Sequence, residues 1–96
     1  MEVQEIVNSA GGIVRRHVGS EYRVLLFGSW ARNTAVPRSD IDIGILGPEP
    51  LPAETLMAIH EEIDRLPTLR KIDVVDMRRL DAGYRETALS YAKDIG

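Results

Sequence analysis

The run from Leu25 to Leu46, LLFGSWARNTAVPRSDIDIGIL, constrains this chain more than any other stretch. It opens in an apolar strand, Val24-Leu25-Leu26-Phe27, which Gly28-Ser29 interrupts. A short helical segment over Trp30-Ala31-Arg32-Asn33 follows, then a turn around Pro37. The run ends in Asp40-Ile41-Asp42-Ile43, where acidic and apolar residues alternate strictly. Residues two apart on a strand point to the same face, so Asp40 and Asp42 project together while Ile41, Ile43 and Ile45 face the other way. One sheet face is therefore apolar, and the other carries two carboxylates that repel unless a cation lies between them.

Gly28-Ser29 stands where a strand meets a helix N-terminus, and its backbone N–H groups and hydroxyl suit an anionic oxygen. Gly28 lets backbone approach phosphate with no Cβ in the way. A phosphate cradle beside a carboxylate pair describes a metal–nucleotide site. Mg²⁺ takes oxygen ligands and keeps places open for phosphate and water, and Asp40 and Asp42 supply two such ligands. A third is expected from a neighbouring strand. Asp73 is the candidate, because it sits within the apolar run Lys71-Ile72-Asp73-Val74-Val75-Asp76, where an unpaired charge is expensive. Asp76 is the alternative, but three residues on it faces the opposite way and lies at the strand's exit. Arg32, one turn beyond Ser29, is placed for a triphosphate, a partner or plain solvent. Ser39 either contacts phosphate or shapes the turn before Asp40. The bland alternative for the acids is a solvated strand edge after a Ser-Asp turn.

Gly28-Ser29, ten intervening residues and Asp40-x-Asp42 together resemble the signature of the DNA polymerase beta-like nucleotidyltransferases. The short length resembles the minimal nucleotidyltransferases that accompany HEPN-domain proteins in toxin–antitoxin pairs. The resemblance implies an α+β nucleotidyltransferase core with a small mixed sheet and helices packed mainly on one face. It implies transfer of AMP from ATP to a hydroxyl, with Asp40, Asp42 and Asp73 as the catalytic, metal-binding triad. Two Mg²⁺ ions, replaceable by Mn²⁺, are the implied cofactors, and Gly28, Ser29, Arg32 and Ser39 the implied nucleotide contacts. The implied partner is a HEPN ribonuclease toxin modified on a tyrosine, which makes the chain an antitoxin. Two other functions fit the same residues: an inactive antitoxin that neutralises by contact, and the catalytic subunit of an aminoglycoside-type transferase. The chain departs from the pattern at Asn33, where small glycine-like residues are common, though Asn tolerates the left-handed conformation. Trp30 is bulky for a phosphate loop and reads as packing. His17 and His60 lack a second ligand at metal spacing.

At 96 residues the expectation is one nucleotidyltransferase domain over 1–96, with a single modest core. A net charge of −3 argues against direct nucleic-acid binding, which usually needs a basic face. The absence of cysteine excludes disulfides and thiolate metal sites. With no membrane-length apolar run and no basic, apolar leader, a cytoplasmic protein is expected. Val3, Ile6, Val7, Ala10, Val14 and Val18 share one helical face, with Gly11-Gly12 as a point of weakness or a break. Tyr22 to Phe27 reads as a strand, and Gly47 to Pro52 as a loop. Helices follow over Ala53 to Leu66, stopped by Pro67, and over about Tyr84 to Lys93, burying Ala88 with Tyr84 and Tyr91. Between them lies a third strand, Lys71 to Asp76.

Overall fold

In the computed structural model, which describes all residues from 1 to 96, the central run folds into β1 (Arg23–Phe27), α2 (Gly28–Arg32) and β2 (Ile41–Leu46). β1 and β2 pair antiparallel, with Phe27 opposite Asp42 and Leu26 opposite Ile43. The chain then crosses through α3 (Ala53–Asp64) and returns as β3 (Ile72–Asp76), parallel to β2. Parallel neighbours need such a crossover, and Pro67 releases the chain from α3 in time to make it. In this register Asp42 lies opposite Asp73, and Ile43 opposite Val74.

Ile41, Ile43 and Ile45 point to the face covered by α1 (Val3–His17) and α3, as the alternation predicts. There they join Ile6, Ala10 and Val14 of α1, Val24 and Leu26 of β1, and Ile59 and Ile63 of α3 in one core. Each fully buried isoleucine contributes about 1.5–3 kcal/mol. The opposite face of β1 is apolar too: Leu25 and Phe27 pack with Met77 and Ala88 in a second, smaller cluster. This explains the unbroken apolar run of β1, which is sandwiched on both faces, whereas β2 alternates. Helices therefore sit mainly on one face, and α4 (Ala82–Leu89) covers only part of the other.

Several boundaries differ from the sequence expectation. α1 is continuous through Gly11-Gly12. Gly11 is small for a packing reason, since a Cβ there would come within 3.0 Å of the Ile95 carbonyl oxygen. Asp76 leads directly into a 3₁₀ turn, Met77–Arg79, which places Met77 under Leu25 and Phe27. α4 begins at Ala82 because Asp81 accepts hydrogen bonds from the N–H groups of Gly83 and Tyr84. It stops at Leu89, before the expected Lys93, and the chain turns into a short strand, β4 (Lys93–Asp94), antiparallel to β1. Ala88 is buried and Tyr91 packs partly into both clusters, but Tyr84 is 56% exposed. The sheet order is β3-β2-β1-β4, mixed in direction.

Candidate active site

The sheet face opposite α1 and α3 gathers the acids. Asp42 and Asp73 stand side by side across the parallel β2–β3 ladder, and Asp40 precedes β2 on the same alternation. Lys71, two residues before Asp73, shares that face too. Its Nζ lies 3.9 Å from Asp40 Oδ2 and 3.8 Å from Asp73 Oδ1. The three carboxylates are not drawn together into a preformed metal cage, and Lys71 bridges two of them. Asp42 stands outside that bridge. Burial pushes its carboxyl above the usual range, and the neighbouring charges of Asp73 and Asp40 push it further, with Lys71 opposing them. Asp76, on the opposite face, is 3% exposed and held by hydrogen bonds. It accepts from Leu51 N at 2.8 Å, from Arg78 N at 3.1 Å and from Arg79 Nε at 3.3 Å.

Gly28 lies directly beneath Asp42. Its φ is +70°, the left-handed region that side chains rarely adopt, and a Cβ there would collide with Asp42 Oδ2. Glycine is thus required twice over at the one position where strand, helix and carboxylate meet. Ser29 follows in the first turn of α2, half-exposed. Asn33 closes that helix in the left-handed conformation, φ 60° and ψ 30°, as expected of a residue standing in for glycine.

Trp30 braces the loop that leads to Asp40. Its indole Nε1 donates to Ser39 O at 3.0 Å, and the Arg70 guanidinium lies 5.6 Å from its ring centroid. Arg70 also donates to Pro37 O, so the α3–β3 connection is tied to the β2 entry loop directly as well as through the indole. The Ser39 hydroxyl accepts from Val36 N at 3.0 Å, which is turn-shaping. Arg32 stacks on Tyr91, 4.7 Å from its ring centroid. Sequence reasoning passed over Lys71, although the alternation that joins Asp40 to Asp42 also joins Lys71 to Asp73. It assigned Trp30 to packing, and no sequence signal pairs an indole with Ser39.

The family described as "Polymerase beta, Nucleotidyltransferase" matches residues 21–95, which contain every residue of this site. The chain belongs to that family, and its fold is the polymerase beta-like nucleotidyltransferase fold. A solved minimal nucleotidyltransferase superposes with a TM-score of 0.71 at 24% identity, covering 95% of this chain and 90% of that one. A chain from tri-AMPylated Shewanella oneidensis HEPN toxin in complex with MNT antitoxin superposes with a TM-score of 0.68 at 20% identity, covering 97% and 71%. A toxin–antitoxin structure with AMP-PNP gives 0.66 at 22% identity, covering 94% and 72%. These likenesses are of fold. A comparison with curated proteins finds no match.

Proposed function

We propose that this chain transfers AMP from ATP to a hydroxyl on a HEPN-type ribonuclease toxin, most directly a tyrosine, and thereby acts as its antitoxin. The observation that carries the reading is the register that sets Asp42 beside Asp73, with Gly28 held bare beneath Asp42. The fold shared with a complex of MNT antitoxin and an AMPylated HEPN toxin supports the choice of partner.

The donor set fits a hard divalent cation. Three carboxylates share one open face, and Asp42 remains under the repulsion of Asp40 and Asp73, which a divalent ion relieves. Asp40, Asp42 and Asp73 would hold two Mg²⁺ ions, or Mn²⁺, whose charge offsets that of the phosphates and steadies the attacking and leaving oxygens. With the ions bound, Lys71 would give up its place between Asp40 and Asp73, and its ammonium would be available to pair with phosphate. Gly28 and Ser29 take the phosphate oxygens, and Ser39 orients the strand entry. Arg32 reaches the nucleotide only by leaving Tyr91. Asp73 orients the acceptor hydroxyl and takes its proton. The hydroxyl oxygen bonds to the α-phosphorus as the bond to the α,β-bridging oxygen breaks, and pyrophosphate departs with that electron pair.

The test is incubation of the chain with ATP, Mg²⁺ and a HEPN-type protein found encoded beside its gene, followed by mass spectrometry. One or more AMP additions on hydroxyl side chains of that protein are expected. The double variant Asp40→Asn/Asp42→Asn should lower transfer by a factor on the order of 10³ while remaining folded. A double variant that still neutralises the partner, with no adduct from either protein, favours neutralisation by contact.

A further inference from the structure

β3 is the terminal strand of the sheet, and no strand pairs with its outer edge. Ile41 N donates to Lys71 O at 3.0 Å, so the ladder turns the peptide groups of Lys71, Asp73 and Val75 toward β2. Those of Ile72 and Val74 turn outward. One outward group is engaged: His60 Nε2 lies 3.0 Å from Val74 O and donates to it. The N–H groups of Ile72 and Val74 face no strand. Folded proteins usually blunt such an edge with proline, a bulge or a covering segment, and β3 contains no proline.

An open cavity of about 380 Å³ lies over this edge. It reaches from His60 and Asp64 on α3 to Tyr84 on α4, and takes in Asp42 and Asp73. Its charged lining is Asp42, Asp64 and Asp73, set among apolar residues, and Arg70 and Lys71 line the adjoining hollow at the start of β3. Resting on the transfer to a protein hydroxyl, we infer that the acceptor segment docks as an added strand on the free edge of β3. That segment is extended and basic, and its hydroxyl residue projects over the acidic face beside Asp73.

The geometry of a strand supplies the positioning. An added strand lies about 4.8 Å from β3, and its alternate side chains fall on the two sheet faces. One set meets Asp73 and the site, and the other set meets Asp64 and α3. Backbone pairing thus fixes which residue of the acceptor reaches the nucleotide, independently of a side-chain pocket. Asp64, on the α3 side of the edge, favours lysine or arginine in the segment and disfavours nucleic-acid phosphates, whereas Asp73 on the other side is already paired with Lys71.

The experiment uses the full chain and an end-capped peptide of alternating lysine and valine with one central tyrosine. Its companions are a glutamate-for-lysine version and two forms N-methylated on one or the other alternate set. Amide exchange at Ile72 and Val74, measured without ATP, is the readout. The basic peptide should slow both amides, and N-methylation of only one set should weaken it by about tenfold or more. Asp64→Lys should weaken the basic peptide and admit the acidic one. The inference is overturned if millimolar basic peptide leaves both amides unchanged, or if the two N-methylated forms behave alike. It is equally overturned if an oligouridylate protects these amides instead, or if protection in the free protein rises with its concentration, the mark of a second copy. ATP and Mg²⁺ are then added. Docking without AMP on the tyrosine removes the transfer and leaves the edge assignment standing, while transfer indifferent to N-methylation does the reverse.

Discussion

Asp42 differs from Asp40 and Asp73 in having no share in the Lys71 bridge. Burial and two neighbouring carboxylates hold its carboxyl above the ordinary value of 3.8. The folded chain therefore binds this proton more tightly than the unfolded chain, and stability falls as pH rises from about 3.8 through the raised value. Asp42→Asn removes the charge and keeps the shape. It should raise the thermal midpoint at pH 7 and flatten the loss of stability above pH 4, as read by unfolding monitored across pH. A variant less stable than the parent at neutral pH would mean that Asp42 has a compensating partner. Mg²⁺ with ATP should raise the midpoint of the parent more than either alone, and this synergy should vanish in the variant.

Two aspartates on one strand have opposite fates, and the element explains why. Asp73 points to the open face, where a half-exposed pair with Lys71 contributes about 0–1 kcal/mol. Asp76 is buried and holds the Gly47–Pro52 loop through Leu51 N, together with the 3₁₀ turn through Arg78 N. Asp76→Asn should cost about 1–3 kcal/mol in denaturant unfolding and spare transfer per folded molecule. Asp73→Asn should leave stability near the parent's and abolish transfer. The division was legible in the sequence, because strand alternation places residues three apart on opposite faces. The reason for burying Asp76 was not, since its partners come from residues about 25 positions upstream and from the turn just after it. β4 was illegible for a related reason: two exposed residues carry no periodicity, and only the free edge of β1 makes them a strand. The expected extension of the last helix to Lys93 failed on the same competition.

At the scale of the molecule, the site is assembled from segments around Gly28, Asp40 and Asp73, brought together by one antiparallel and one parallel pairing. Local patterns announced each segment, because glycine, alternation and β-branched density are written in consecutive residues. Strand order is not written that way, so the free edge of β3 became visible only in the folded sheet. The brace between these segments runs through Trp30, the only tryptophan in the chain. Its indole touches the backbone just before Asp40 and lies under Arg70. The molecule thus carries an optical gauge of its own site. Emission from Trp30 should shift when nucleotide and Mg²⁺ reorder the Ser39–Asp40 segment, and should move to the red in Arg70→Ala as the ring meets more water. Titrating nucleotide against that single fluorophore should therefore report occupancy in the intact protein, with no label attached.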